Sequence, residues 1–305
     1  MADPTRRVVS LSLGTSARDK HATVTLHGQP ISVERRGTDG DFVRFRRELA
    51  QLDGHVAAIG LGGADRTIRL GDRPYTFRQI DRLVRSARTT PVVDGTGLKH
   101  TLERDAIAQL TASGQLSPAN GPVLLVSALD RFGMAQALVQ HGYPVIFGDA
   151  MFGLGWNRPI RTLAELERLG RLILPIATQL PFKWVYPTGA KQTERVPKFG
   201  PVFAEAAVIA GDWHYIRRYA PDRMEGKTIL TQTIRTADLD WLRSTGAETL
   251  ITTTPAIEGE TFASNVLEAV IVALADSAMP LSESEYREWL QRFGWQPQRW
   301  SLRGS

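Results

Sequence analysis

The run from Val123 to Asp149, VLLVSALDRFGMAQALVQHGYPVIFGD, constrains the fold more than any other stretch. Val123 to Val126 is continuously apolar, as in a strand buried on both faces of a parallel sheet. A turn at Ser127-Ala128-Leu129-Asp130 leads to a helix expected to carry Met134, Ala135, Leu138 and Val139 inward. Gly142 closes that helix, and Val145-Ile146-Phe147 forms the next strand, ending at Gly148-Asp149. This is a β-α-β unit, and it forces a crossover and a covered sheet. Upstream, Asp94-Gly95-Thr96-Gly97 opens a helix with Leu98, Leu102, Ile107 and Leu110 at helical spacing.

The preceding hundred residues read as a compact α/β unit. Val8 to Leu13 is a first strand, and Thr23 to Leu26 with Ile31 to Glu34 alternate around His27-Gly28-Gln29-Pro30 like a hairpin. A second hairpin, Thr67 to Leu70 and Tyr75 to Phe77, flanks Gly71-Asp72. Between them lies a helix with Phe42, Phe45, Leu49 and Leu52 on one face, its start assigned to Thr38 or Asp39. Val56 to Leu61 is a further strand, and a helix with Ile80, Leu83, Val84 and Ala87 leads back to the run at Pro91.

After Asp149, Thr162-x-x-Glu165 is a capping box before Leu163, Leu166, Leu169 and Leu172. Pro175, Pro181, Pro187, Pro197 and Pro201 then crowd a segment that also holds Phe182, Trp184, Tyr186 and Phe199. Such proline density breaks regular structure, and the aromatics make it an ordered excursion rather than a linker. Strands resume at Ala206 to Ala210, Thr228 to Thr231 and Thr249 to Thr252, with a helix opened by Thr236. Phe262 to Ala275 is a helix apolar nearly all round and hence buried, and Ser282-x-x-Glu285 caps a last one. The domain reading is 1–97, then 98–280 with the excursion 171–201, then a terminal helix and tail at 281–305.

Composition narrows the chemistry. The absence of cysteine among 305 residues excludes disulfides, thiolate catalysis and Cys-ligated zinc. The six histidines show no metal-ligand spacing, so no metal site is expected. No apolar run approaches the ~18 residues that span a bilayer, and the start lacks a secretory h-region, so a cytoplasmic protein without a membrane partner is expected. The net charge of +5 is too mild by itself to argue for nucleic acid. Within 171–201, however, Arg171, Lys183, Lys191, Arg195 and Lys198 face Glu194 alone, which favours a small anionic partner.

Val93-Asp94-Gly95-Thr96-Gly97-Leu98, at its distance from the β-α-β unit, resembles the domain junction of quinate/shikimate 5-dehydrogenases. The similarity in organisation extends over about residues 8–275. The resemblance implies a two-domain shikimate-dehydrogenase-like α/β architecture, with an N-terminal substrate domain and a Rossmann-like parallel-sheet domain. It implies NAD-linked oxidation of a ring hydroxyl on a carboxylate such as quinate. It places Asp94 where the family's aspartate pairs with a lysine and contacts the substrate hydroxyl. That lysine belongs near Leu61 to Arg66, where this chain has Gly62-Gly63-Ala64-Asp65-Arg66; Lys99 is the nearest lysine.

A dinucleotide loop wants G-x-G-x-x-G so that the backbone can approach a pyrophosphate at a helix N-terminus. Here Ser127 to Gly133 keeps only the last glycine, and Asp130 stands where a phosphate would sit, or else caps the helix. Asp149 ends the second strand, 22 residues after Ser127, where an acid bonds the ribose of NAD rather than accommodating NADP. Asp212 follows another strand end and joins the cofactor candidates. His214 reads as an acid/base group or a structural histidine. For a substrate carboxylate the candidates are Lys191 and Arg217, which read equally as a dimer contact and a solvated helix face. Asn265, polar on an apolar helix, bonds either a ligand or a neighbouring group.

Two rival readings come from other classes. The glycine-poor loop and the displaced lysine suit a ligand- or nucleotide-binding protein that kept the fold and lost the dehydrogenase chemistry. Arg6-Arg7, Arg35-Arg36, Arg44-Phe45-Arg46-Arg47 and Arg217-Arg218 suit a basic nucleic-acid-binding protein.

Overall fold

The computed structural model describes residues 5–26, 28–186, 194–232, 234, 236–254, 256–257, 260–261 and 263–303. The first sheet is built around β1 (Arg6–Ser12), where Val8, Val9 and Leu11 are wholly buried. β2 (Lys20–Leu26) and β3 (Gln29–Gly37) form the expected antiparallel hairpin, and β3 runs parallel to β1. α1 (Phe42–Leu52) buries Phe45, Leu49 and Leu52. It starts two or three residues later than the sequence suggested. Asp41 accepts from the N–H groups of Val43 and Arg44, while Asp39 accepts from Ser16 instead. β4 (Ala58–Gly62) pairs with β1 in parallel on its other side. β5 (Thr67–Leu70) and β6 (Arg73–Thr76) make a separate ribbon, followed by α2 (Arg78–Val84) and β7 (Val92–Val93), parallel to β4. The sheet order is β2-β3-β1-β4-β7.

α3 (Thr96–Ala112) carries the chain across to the second sheet. There β8 (Val123–Leu125), α4 (Phe132–Gln140) and β9 (Val145–Phe147) form the β-α-β unit, with both strands buried throughout. Val139 points outward at 40% exposure rather than inward; Met134, Ala135 and Leu138 fill the buried face without it. α5 (Leu163–Ala177) begins at Thr162, whose hydroxyl accepts from the N–H of Glu165. Pro175 lies inside α5, so that proline does not break the segment; Pro181 precedes α6 (Phe182–Val185), and Pro201 sits in the first turn of α7 (Gly200–Glu205). β10 (Val208–Ala210), α8 (Trp213–Tyr219), β11 (Thr228–Thr231), α9 (Thr236–Ser244) and β12 (Thr249–Thr252) continue the alternation. β13 (Ala256–Ile257) and β14 (Glu260–Thr261) pair with each other.

α10 (Ser264–Leu274) then returns to the first sheet. Its Val266, Ala269, Val270, Val272 and Ala273 pack with Val8, Val24, Ile31, Val33, Ala58 and Val93. Leu267 and Ile271 face Leu98 and Leu102 of α3 together with Tyr286 and Leu290 of α11 (Glu283–Arg292). An all-round apolar helix therefore has partners on every side. β15 (Gln298–Ser301) closes the second sheet as an antiparallel edge. The order there is β15-β12-β11-β10-β8-β9. The protein is thus an α/β molecule of two mostly parallel sheets, tied together by α3 and α10. In the second sheet β9 lies on one side of β8 and β10 on the other, which opens a crevice at their carboxyl ends. No helix among the described residues is long and apolar enough to cross a membrane.

Candidate functional site in the cleft between the sheets

The carboxyl ends of parallel strands from both sheets line one cavity of about 1110 Å³. The first sheet contributes Ser12, Gly63, Asp65 and Asp94, and the second contributes Ser127, Asp130, Asp149 and Asp212. Two close approaches shape its floor. Gly63 (φ +70°) leaves no room for a Cβ, which would lie 2.8 Å from the Gly14 nitrogen. Gly95 (φ +89°) does the same against α10, where a Cβ would meet the Asn265 nitrogen at 2.7 Å. Only glycine combines that backbone with that proximity.

Lys99 lies one turn into α3 and is the best-buried cation on the cavity floor after Arg131. Its Nζ donates to Asp130 Oδ1 at 2.9 Å and to Asp65 Oδ1 at 3.3 Å. Burial alone would push this ammonium down; Asp130 and Asp65 together hold it above the ordinary lysine value. Burial and the adjacent Asp130 push the Asp65 carboxyl up to about 8, against the pull of Lys99. Asp130 goes the other way. Despite its burial, Lys99 and Arg131 hold it below the usual carboxylate range. At neutral pH the trio therefore reads as an ammonium, one carboxylate and one largely protonated acid.

Glu103, one helical turn from Lys99, extends the network. Arg131 donates to Glu103 and, through Nη2 at 3.2 Å, to Asp212 Oδ2, while Gln232 Nε2 donates to Glu103 at 3.1 Å. Burial raises Glu103 against the opposing charges of Arg131 and Lys99. Arg131 occupies the N-cap position of α4 and no side chain caps that helix, so Asp130 is not its cap. A cation there opposes the helix dipole, which is why three acids gather round it. Asp65, Glu103 and Gln232 had no assigned role from the sequence. A lysine and a glutamate four apart on a buried helix, and an arginine opening another, were the available signals.

The strand-end aspartates meet backbone. Asp94 accepts from the N–H groups of Arg66 (2.7 Å), Thr67 (3.2 Å) and Thr96 (2.9 Å), and no bond joins it to Lys99. Asp149 accepts from Ala128 N at 3.0 Å and Leu129 N at 2.8 Å; burial pushes it up to about 7 against those bonds. Asp212 caps α8, accepting from His214 N at 2.8 Å and from Tyr215 N at 3.4 Å, and its own N–H donates to Ser127 Oγ at 3.4 Å. His214 lines the cavity with Nε2 3.4 Å from Arg18 Nη1 of the first sheet's loop.

This geometry does not fit a pyrophosphate. The N–H groups of the turn after β8 that a phosphate would use already serve Asp149, and Asp130 fills the approach with a buried carboxylate. Gly133 is no part of such a loop either: it sits within α4 off the cavity lining, where a Cβ would come within 3.0 Å of His100 Nδ1.

The substrate candidates divide. Asn265 lines the cavity and donates through Nδ2 to Ser10 Oγ at 3.0 Å. Arg217 does not line it; its guanidinium stacks 4.1 Å from the Trp241 ring, with Asp238 at 3.9 Å. Lys191 lies outside the described residues. Among its described residues the basic excursion shows the cavity apolar groups. Leu172, Ile176, Leu180 and Trp184 line it, whereas Arg171 pairs with Glu167, Lys183 lies over the Phe42 ring, and Arg195 pairs with Asp222. Several arginines that suggested nucleic acid also meet acids: Arg7 and Arg36 at Glu34, Arg35 at Asp19, Arg44 at Glu48 and Arg218 at Glu194. Among the described residues no group of three or more His, Asp or Glu side chains could hold a metal ion.

Fold and site together define a two-sheet α/β protein with a ligand-sized cleft at the strand ends. The chain belongs to the family described as a domain of unknown function (DUF8754), matched over residues 97–302. Residues 7–94 match a second domain of unknown function (DUF8753). No curated protein matches the chain. Among solved structures it is similar to a hetero-hexameric glutamate dehydrogenase from Thermus thermophilus at 14% identity and a TM-score of 0.45, covering 96% of this chain and 74% of that one. A periplasmic ribose ABC transporter structure from Conexibacter woesei DSM 14684 is similar at 7% identity and a TM-score of 0.38, covering 95% and 96%. A putative malic enzyme (malate oxidoreductase) is similar at 12% identity and a TM-score of 0.37, covering 90% and 73%. At such values these likenesses assign no activity to the chain.

Proposed function

We propose that the cleft binds a small oxygen-bearing molecule and that the protein works as a ligand-binding α/β protein without a dinucleotide. The observation that carries this reading is the Asp149 carboxylate on the Ala128 and Leu129 N–H groups. An anionic pyrophosphate would have to break both bonds and approach Asp130, a cost set by desolvated like charges. What remains open to a ligand is the floor made by Lys99 and Asp65. A hydroxyl or carbonyl oxygen seated there meets an ammonium and a protonatable carboxyl within one network.

A second reading is favoured by that same pair. Quinate/shikimate dehydrogenases, which the junction resembles, imply a lysine on the turn after a strand of the first sheet and an aspartate at the junction. Here the ion pair joins Asp65, on the turn after β4, to Lys99, in the junction helix, with the two residue types exchanged. On this reading the protein oxidises a ring hydroxyl with NAD. Calorimetric titration of the full chain with NAD, NADH and NADP separates the two, alongside a test of nicotinamide reduction with quinate and shikimate. The ligand-binding reading expects no dinucleotide binding and no reduction. Saturable NAD binding at micromolar concentration would replace it with the dehydrogenase reading.

A further inference from the structure

We infer that the ligand of this cleft is an uncharged amphiphile, a hydrophobic alcohol or ketone whose oxygen sits at Lys99 and whose apolar body lies along α5. The inference rests on the reading of the cleft as a ligand site and adds the class of ligand.

The floor sets the head group. Its charges are already matched: Lys99 by Asp130, with Asp65 as a second acceptor, and Arg131 by Glu103 and Asp212. A carboxylate head would add a negative charge beside Asp130, Asp149 and Asp212, and an ammonium head would compete with Lys99 for its own partners. A neutral oxygen does neither. The lysine ammonium has three N–H donors and the two aspartates take two, which leaves one for a hydroxyl or carbonyl acceptor.

The wall sets the body. α5 is apolar over much of its surface. Leu166 and Gly170 turn to the core, Leu169 and Leu174 reach both core and cavity, and Leu172, Ile173 and Ile176 continue along the cavity at helical spacing. Leu180 and Trp184 extend that stripe. Leu172 is 69% exposed, Ile176 62% and Trp184 77%, so folding gains little from their being apolar. Single exposed apolar residues need no explanation, but a row of them bordering one cavity does. A cavity of about 1110 Å³ slightly exceeds the usual range for drug-sized ligands, roughly 300–1000 Å³. Quinate, small and polar on every face, would leave this wall wet.

The test uses the full chain and the neutral fluorophore N-phenyl-1-naphthylamine, displaced by 1-decanol, 2-decanone, decanoate or quinate. The expected result is displacement by decanol and decanone, about ten-fold weaker displacement by decanoate and none by quinate. Leu172→Glu and Ile176→Glu, both at exposed positions, should keep the wild-type melting temperature and weaken probe binding about ten-fold. Val139→Glu, exposed and off the cavity, should change nothing. Displacement by quinate but not by decanol or decanone overturns this inference and leaves the cleft reading standing. Decanoate matching decanol overturns the neutral head. If no compound displaces the probe and both α5 variants bind it like wild type, the cleft reading itself falls and this inference with it.

Discussion

Replacing Lys99 with methionine keeps the length and apolar stem of the side chain and deletes only its ammonium. The deletion leaves Asp130 and Asp65 without their shared partner, at side-chain exposures of 15% and 21%. Removing one member of a buried ion pair typically costs about 3–5 kcal/mol. The residual solvent contact of both carboxyl groups, and Arg131 3.9 Å from Asp130, put the expected loss near the lower end, about 3 kcal/mol at pH 7. For a chain of this length that corresponds to a fall in melting temperature of roughly 5 °C. The pH dependence supplies a second signature. Asp130 is held below the ordinary range in the native protein, largely by Lys99, so the variant's folded form must take up protons at a higher pH. Over the window where the folded variant binds more protons than its unfolded chain, stability rises as pH falls. The deficit relative to wild type should therefore shrink between pH 7 and pH 5. Adding Asp130→Asn should restore much of it, because the orphaned charge is then gone. Urea unfolding of the three proteins at both pH values measures all of this. A Lys99→Met protein within about 1 kcal/mol of wild type at pH 7, or a deficit that widens on acidification, would refute the buried-network argument.

Asp149 has a folded value of about 7, above the ~3.9 of an unfolded chain, so its contribution to stability is full below pH ~4 and is lost as pH climbs through 7. Asp149→Asn should flatten that slope, which amounts to roughly 2–4 kcal/mol, in denaturant titrations across the same window. Asp94→Asn should lower stability by about 1–3 kcal/mol, since an amide oxygen cannot serve all three N–H groups that the carboxylate now holds. Thermal melts that show no change would mean that those bonds are dispensable. Gly133→Ala should cost about 1–3 kcal/mol by overpacking, because the new methyl meets the His100 backbone oxygen at 3.1 Å as well as its ring.

What the sequence made legible follows from how far each signal reaches. Val123 to Leu125 and Val145 to Phe147 announce two-sided burial without reference to anything else, and the N-caps at Thr162 and Ser282, each accepting from the N–H of the glutamate three residues on, are complete within four residues. The all-round apolar helix at 264–274 was legible as buried but not as belonging to the first sheet, since periodicity names a face and never a partner. The same limit governs the site. Strand ends marked by Gly-Asp pairs located Asp149 and Asp212 at the cleft, yet their bonds run to chain 20 residues away in one case and 81 in the other. Asp65 and Lys99 meet across 34 residues, a contact that no local pattern encodes. Charge counts drew the eye elsewhere in the excursion. Its lysines and arginines are the residues one notices, whereas the leucines and isoleucines of α5 line the cavity.

The return of α10 to the first sheet means that no single cut divides this chain into two self-sufficient pieces. The boundary at residues 94 to 97, where one family match ends and the other begins, separates β2-β3-β1-β4-β7 from the helix that covers it. Val266, Val270 and Val272 alone bury side chains worth roughly 1.5–3 kcal/mol each. Together that rivals the whole stability of an ordinary domain, about 5–15 kcal/mol. A fragment ending near residue 97 would therefore expose Val8, Val24, Ile31 and Val33 to water and aggregate. Circular permutation that brings 264–274 next to residue 5, by contrast, should keep Val8, Val24, Ile31 and Val33 covered and leave Leu267 and Ile271 as the face that still needs α3 and α11.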